Sequence, residues 1–360
     1  MMSQLFALAA FLTALVVCLG ARTIGEKFDV MAVPDNRRKR HAIPTPQVGG
    51  LAILSGLMVW MIGTLAFSAP PADPLLVSIL LSAAGLGLVG FVDDQRDLSP
   101  PLRIMLLLTF MGIAFALDPH LIARALNWYS FAETPVSPWF YVPLMGLTTI
   151  GIVNSVNMAD GQNGLVGSMF AIWSGCLILV SSGTMADVAA ILLGLSLIFL
   201  LFNINGKIFL GDCGSYGVTF ALGLLVVRAH ADNLVSLETV IVWFFIPVMD
   251  CLRLMIARPL QGRSIFQGGR DHFHHRLMDS MGMRWSAVLY IAVVASSSLI
   301  ATLYPRFALL CLCALCAFYF SFARLSEGEV EAVQAPPATD DAENASPGRV
   351  VSLGGHRERR

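Results

Sequence analysis

The segment from Leu75 to Asp97 reads LLVSILLSAAGLGLVGFVDDQRD, an apolar run over residues 75–92 that ends in a cluster of carboxylates. A helix needs about 20 mostly apolar residues to cross the hydrocarbon of a bilayer, and this run is close to that length. We therefore predict a membrane-crossing helix with acidic side chains at one end.

The composition extends this prediction to the whole chain. Hydrophobic residues make up 56% and charged residues 13% of 360 positions, too little polar surface for a soluble globule of this size. We expect an all-α fold, a polytopic transmembrane bundle of about eleven helices. The first run lacks a preceding basic stretch and a cleavage pattern, so we interpret it as a spanning helix. The predicted spans are 4–20, 48–67, 75–92, 103–117, 137–153, 165–182, 186–203, 214–230, 237–256, 286–303 and 306–322.

The basic residues predict the orientation of these spans. If the N-terminus lies outside, the inner connectors hold fourteen Arg and Lys residues, whereas the outer ones hold only Arg124 and Arg306. Connectors rich in Arg and Lys stay in the cytoplasm, so we predict an outer N-terminus and a cytoplasmic C-terminus. Residues 1–325 then form the membrane domain. Residues 326–360 have little apolar content and are expected to be a disordered cytoplasmic tail.

Polar clusters fall on the predicted inner side. After the third run, Asp93 and Asp97 lie four residues apart and share one face if the helix continues. A magnesium ion would relieve their repulsion, because it binds carboxylate oxygens and fills its remaining coordination positions with phosphate oxygens. An ordinary polar cap explains this motif equally well on its own.

Two further motifs follow spans five and seven. Asn154, Asn157 and Asp160 are spaced three apart, which places them on one face of a helix end. Such a stripe is expensive at a membrane boundary unless it lines a water-filled site, although a simple loop is the commoner explanation. Downstream of Asn203, the sequence from Gly211 to Ser215 opens a helix whose N–H groups can meet an anion, and Asp212 could hold a shared metal.

Two connectors complete the set. Four consecutive cations before His41 are typical of a topology anchor, but with Gly49 and Gly50, which allow close backbone approach, they would suit a diphosphate. The connector after span nine holds a His-x-His-His element flanked by arginines. This element could bind phosphate and transfer protons, or it could bind zinc. We favour magnesium-assisted phosphate chemistry over zinc because the other clusters offer oxygen ligands. Asp250 and Arg253 are expected to form a structural ion pair.

The five motifs in this order resemble the polyprenyl-phosphate N-acetylhexosamine-1-phosphate transferase superfamily, glycosyltransferase family 4. The resemblance runs from about Pro34 to Leu277. His-x-His-His is the form typical of the undecaprenyl-phosphate GlcNAc-1-phosphate transferases, whereas the related phospho-MurNAc-pentapeptide translocases usually show three consecutive histidines. Asn163 departs from the pattern, because many relatives carry an aspartate there.

The patterns and the resemblance together predict three groups of site residues. The catalytic group is Asp93, Asp94, His272, His274 and His275. The magnesium ligands are Asp212, Asp94 and Asn157. The substrate-binding group is Lys39, His41, Asp97, Asn154, Asn157, Asp160, Asn203, Arg270 and Arg276.

The resemblance implies a Mg²⁺-dependent enzyme, with Mn²⁺ as a substitute, that transfers a sugar 1-phosphate such as GlcNAc 1-phosphate from a UDP-sugar to undecaprenyl phosphate. UMP is released, and a lipid-linked polysaccharide such as lipopolysaccharide O-antigen, exopolysaccharide or a cell-wall polymer is begun on the cytoplasmic face of a bacterial inner membrane. The alternatives are a phospho-MurNAc-pentapeptide transferase, a transporter and a non-catalytic lipid-binding scaffold. Membrane lipids are expected partners and nucleic acid is not; homodimerisation stays open.

Overall fold

The computed structural model describes residues 2–34, 43–67, 73–123, 138–265, 269 and 271–334, and within these ranges all side chains except those of 122–123, 138–142 and 324–334. Almost all of this part of the chain is helical, which confirms the predicted all-α class. Two short antiparallel strands, β1 (Met31–Ala32) and β2 (Thr45–Pro46), pair Met31 with Pro46. The helices are α1 (Met2–Leu19), α2 (Ala21–Phe28), α3 (Gly49–Phe67), α4 (Pro74–Arg96), α5 (Pro100–Leu117), α6 (His120–Ala123), α7 (Pro138–Ala159), α8 (Leu165–Val180), α9 (Gly183–Asn203), α10 (Gly211–Ala231), α11 (Leu237–Leu260), α12 (Phe273–Met281), α13 (Met283–Leu303) and α14 (Ala308–Gln334).

Each predicted span corresponds to one of these helices. In the described part of the chain, eight segments are long and apolar enough to cross a membrane. They are Met2–Leu19, Gly49–Phe67, Pro74–Arg96, Pro100–Leu117, Gly183–Asn203, Leu237–Leu260, Met283–Leu303 and Pro305–Ala323. Helix α8 is apolar but only 16 residues long, and α7 and α10 are not among the eight. The protein is therefore a polytopic helical membrane protein, while the count of eleven and the orientation stay predictions.

Helix α10 lies at the centre of the bundle, and nearly every residue from Gly211 to Val226 is buried. Glycines let α3 and α4 approach it backbone to backbone. A Cβ on Gly50 would lie 1.9 Å from the nitrogen of Gly214, and a Cβ on Gly90 would lie 2.2 Å from the carbonyl oxygen of Asp212. Small residues at helix contacts allow such close packing inside a membrane. This packing places the first turn of α10 beside the acidic end of α4.

The end of α4 differs from the sequence prediction. The helix stops at Arg96, and Asp97 adopts a left-handed conformation with φ of 49° as its C-cap. Ser99 is extended, as expected before Pro100, which begins α5. The helix therefore does not continue through Asp97, and the prediction that Asp93 and Asp97 share a helical face is wrong.

Helix α14 continues to Gln334, past the predicted start of the tail at Ser326. Residues 335–360 lie outside the described part of the chain. The helical segment 326–334 thus extends the last membrane helix beyond its apolar stretch, which ends at Ala323.

Candidate active site

Helices α4, α7 and α10 bring their polar ends together. The amide Nδ2 of Asn157, at the end of α7, donates to Oδ1 of Asp212 at 2.5 Å and to Oγ of Ser215 at 2.8 Å. Asp212 stands in the first turn of α10. Two motifs that are 55 positions apart in the sequence are therefore in direct contact.

Asp94 caps the N-terminus of α10. Its Oδ1 accepts the N–H of Asp212 at 3.0 Å, and its Oδ2 accepts the N–H of Cys213 at 3.2 Å. The side chain of Gln47 also donates to Asp94, at 3.1 Å. We predicted that this helix end would meet an external anion; instead, a carboxylate of the protein occupies these two N–H groups. Its charge is stabilised by the helix dipole.

The double glycine also differs from its prediction. The N–H of Gly49 donates to the carbonyl of Phe209 at 2.9 Å, and that of Gly50 to the carbonyl of Leu210 at 2.8 Å. These donors are used to join α3 to the segment before α10 and do not face a diphosphate. Close backbone approach was predicted correctly, but the partner is another helix.

Asp93 is buried and fully engaged. Its Oδ2 accepts the hydroxyl of Tyr216 at 2.7 Å and pairs with Nε of Arg103 at 2.9 Å, while its Oδ1 accepts the N–H of Leu98 at 2.7 Å. Arg103 also pairs with exposed Asp97 at 2.6 Å. The like charges of Asp93 and Asp97 are thus relieved by an arginine. The sequence motifs did not identify Tyr216 as a partner.

Asp160 lies in the turn after α7, next to the acidic cluster. Burial and the negative charge of Asp212 raise the pKa of Asp160 to about 7. The carboxyl can therefore take up or release a proton near neutral pH. Asn154, one turn earlier than Asn157, donates its amide to the carbonyl of Ile150 in its own helix at 2.8 Å.

Asn203 connects two loops beside this cluster. Its Oδ1 accepts the N–H of Gly164 at 2.6 Å, and its Nδ2 donates to the carbonyl of Ile208 at 2.8 Å. The side chain is buried. These contacts hold the turn after α7 against the segment that leads into α10, whereas we predicted a substrate contact.

The three histidines form one cluster at the start of α12. The rings of His272 and His274 stack with centroids 5.5 Å apart, and His274 and His275 are 4.2 Å apart. Nδ1 of His272 lies 3.2 Å from Oδ2 of Asp250. The predicted ion pair of Asp250 with Arg253 is confirmed at 2.7 Å, but the contact of Asp250 with His272 was not predicted.

His274 connects this cluster to the turn that follows α7. A Cβ on Gly161 would lie 2.3 Å from Nε2 of His274, so only glycine fits against the ring. Burial and the neighbouring imidazoles lower the pKa of His274 well below its usual value. Among the described residues, its Nε2 has no hydrogen-bond partner. These surroundings therefore disfavour the charged form of His274.

The arginines near the histidine element have different positions. Nη1 of Arg276 donates to the carbonyl of Ala323 on α14 at 2.8 Å. Arg258, also missed by the sequence motifs, is buried and binds both carboxylate oxygens of Asp271, at 2.9 and 3.2 Å. Although burial opposes ionisation, these hydrogen bonds lower the pKa of Asp271 to about 2. Lys39, His41 and Arg270 lie outside the described residues.

The site offers carboxylate and amide oxygens as possible metal ligands. No group of three His, Cys, Asp or Glu side chains in the described ranges is placed to hold a metal ion. Mg²⁺ keeps several waters and is bound through one or two carboxylates plus substrate phosphates. Asp212, with the amide of Asn157 beside it, supplies oxygen ligands of this kind. The residues therefore fit Mg²⁺ better than zinc, which requires a closed tetrahedral shell in structural sites.

The fold and this cluster define a polytopic membrane protein whose carboxylates, amides and imidazoles converge at one end of its helices. The family model described as glycosyl transferase family 4 matches residues 76–230, the stretch that contains Asp93, Asp94, Asn157 and Asp212. This match agrees with the assignment to this family that the motifs predicted.

Similar proteins agree with this assignment. The chain is 29% identical over 300 residues to the undecaprenyl-phosphate alpha-N-acetylglucosaminyl 1-phosphate transferase of Yersinia pestis, covering 79% of this chain and 80% of the relative. It is 27% identical to the probable undecaprenyl-phosphate N-acetylglucosaminyl 1-phosphate transferase of Bacillus subtilis, covering 75% and 76%. It is also 27% identical to a phospho-N-acetylmuramoyl-pentapeptide-transferase of Halalkalibacterium halodurans, covering 73% and 85%.

Proposed function

We propose that this protein transfers an N-acetylhexosamine 1-phosphate, with GlcNAc the first choice, from a UDP-sugar to undecaprenyl phosphate. The names of the relatives support undecaprenyl phosphate as the acceptor and N-acetylglucosaminyl 1-phosphate as the transferred group. The observation that carries the proposal is the contact of Asn157 with Asp212 beside Asp94, because it joins three motifs of the matched segment into one cluster.

An oxygen of the lipid phosphate forms a bond to the sugar-proximal phosphorus of the donor. The bond from that phosphorus to UMP breaks, and UMP leaves. Asp212 and Asn157 would hold Mg²⁺, which neutralises phosphate charge when it is bound. We assign proton transfer to the imidazole of His272, which contacts Asp250.

The site is proposed to face the cytoplasm at a bacterial inner membrane. The excess of Arg and Lys in the connectors on the site's side supports this orientation. The product would begin a lipid-linked polysaccharide such as O-antigen, exopolysaccharide or a cell-wall polymer.

The test uses purified full-length protein in liposomes that contain undecaprenyl phosphate. Radiolabelled UDP-GlcNAc, UDP-GalNAc and UDP-MurNAc-pentapeptide are added separately, with Mg²⁺, Mn²⁺ or EDTA. We expect UMP and a labelled lipid from UDP-GlcNAc with either metal, and neither product with EDTA. Turnover of UDP-MurNAc-pentapeptide alone would favour the alternative transferase, and no UMP from any donor would refute the proposal.

Asp212→Asn tests the metal role in the same assay. Removing this charge should lower turnover by several orders of magnitude while leaving the protein folded. The matched control is Asp187→Asn on α9, which removes an exposed carboxylate near the opposite end of the helices. We expect the control to retain wild-type turnover. Near-normal UMP release by Asp212→Asn would contradict the assigned role.

A further inference from the structure

Asp250 is a buried carboxylate within the membrane helix α11. One oxygen, Oδ1, accepts Nη2 of Arg253 at 2.7 Å and the hydroxyl of Tyr319 at 3.2 Å. Nε of Arg253 also donates to the hydroxyl of Tyr319, at 2.9 Å. Arg253 and Tyr319, which lies on α14, thus form a clamp that holds the carboxylate of Asp250 in one orientation. Buried ionisable groups in membrane-spanning helices are costly and typically functional.

The second oxygen of Asp250 has a different partner. Oδ2 lies 3.2 Å from Nδ1 of His272. An ion pair with Arg253 needs only Oδ1, so the contact with His272 is additional to what a structural ion pair requires. The clamp through Tyr319 fixes the direction in which Oδ2 points.

The neighbouring histidine has no comparable support. His274 stacks on His272, but its Nε2 abuts Gly161 and has no hydrogen-bond partner among the described residues. The two imidazoles therefore have different surroundings, although the sequence presents them as one element. A carboxylate partner fixes the tautomer of an imidazole and stabilises its protonated form.

We propose that Asp250, clamped by Arg253 and Tyr319, is a positioning residue that acts through His272. Asp250 accepts the Nδ1–H of His272 and leaves Nε2 to meet a phosphate oxygen or to carry a proton. His272 is then the histidine with a chemical role, and His274 fills space against the turn after α7. The part that concerns turnover rests on the proposed function.

The first test does not depend on activity. In spectra of the full-length protein with ¹⁵N-labelled histidine, His272 should show a protonated Nδ1 at neutral pH; its signal is assigned with His272→Gln. Asp250→Asn should shift this signal, because the amide is a weaker acceptor than the carboxylate. An unchanged His272 signal in Asp250→Asn would overturn the proposed contact.

The second test is a double-mutant cycle on UMP release. Asp250→Asn should lower kcat about 10–100-fold, the range seen when a carboxylate that supports a metal-binding histidine is removed, with little change in KM. In a His272→Ala background the same substitution should change kcat less than about 2-fold, because residues that act through one another are not additive. Full additivity would mean that Asp250 does not act through His272.

Two variants separate this role from folding. Tyr319→Phe removes the clamping hydroxyl without changing charge and should lower kcat in the same direction, by less than Asp250→Asn. Asp118→Asn is the matched control, since Asp118 is also buried and pairs with an arginine, Arg228, at 3.0 Å, but near the other end of α10. Per folded molecule, its kcat should equal that of the wild type. Equal losses of kcat in Asp118→Asn and Asp250→Asn would overturn the inference. If the wild-type protein releases no UMP, the proposed function is refuted, and the ¹⁵N spectra alone test the contact of Asp250 with His272.

Discussion

Gly90→Ala should disturb the site without touching any of its side chains. Gly90 lies on α4 against the first turn of α10. An added Cβ would lie 2.2 Å from the carbonyl oxygen of Asp212, 2.4 Å from its carbonyl carbon and 2.6 Å from the nitrogen of Cys213. All three are backbone atoms, so no side-chain rotation can relieve the overlap.

The size of the effect follows from these distances. Nonbonded carbon atoms pack at about 3.5–4.0 Å, so α4 and α10 must separate by about 1 Å. This movement would lengthen the bonds from Asp212 and Cys213 to Asp94, now 3.0 and 3.2 Å, beyond hydrogen-bonding range. Overpacking of this kind costs about 1–3 kcal/mol, and a 1 Å displacement of catalytic groups can lower turnover about 100-fold.

The assay compares UMP release per folded molecule and the thermal unfolding midpoint in the same detergent. Gly112→Ala is the control, because a Cβ at this position in α5 meets no described atom within 4 Å. Alanine is the better helix former, so this control should keep its turnover and gain up to about 1 kcal/mol of stability. Wild-type turnover and stability in Gly90→Ala would refute the backbone contact between α4 and α10.

Three further predictions concern stability and topology. Asp271→Asn should cost about 3 kcal/mol of unfolding free energy, because it leaves Arg258 buried without its partner. Since the pKa of Asp271 is lowered to about 2 in the folded protein, its ionised form stabilises the fold above about pH 4, and this stabilisation is lost as the pH falls towards 2. The unfolding midpoint of Asp271→Asn, measured by thermal scans, should not show this loss. The pKa of His274 is also lowered, so stability should decline as the pH falls below about 6.5, where the unfolded chain takes up the proton, and His274→Gln should flatten that decline. Reporter fusions after Leu98 and Asp232 should lie on the inner and outer sides, and a swap would contradict the orientation.

The site itself shows how far the motifs reach. Asn157 and Asp212 were predicted as neighbours at a metal site, and their side chains are in contact. The different roles of Asp93 and Asp94 could not be predicted from the sequence, because acidic residues at a helix end look alike there. Their partners, Arg103 and the N-terminus of α10, depend on which helix packs beside α4. The contact of Asp250 with His272 spans 22 positions and crosses from a membrane helix to a connector, so no local spacing reveals it.

The membrane class, the helices at the eleven apolar runs and the residues of the polar motifs could be derived from the sequence, because hydrophobic length and helical spacing are local properties of the chain. Tertiary structure decided that Asp94 caps α10, that Asp97 leaves its helix, and that Asp250 supports His272. Each of these depends on hydrogen bonds and ion pairs between groups that are brought together only when the helices pack. The approach of Gly50 and Gly90 to α10 belongs to the same class, since the lack of a side chain matters only where another backbone lies within 3 Å of the position that a Cβ would occupy.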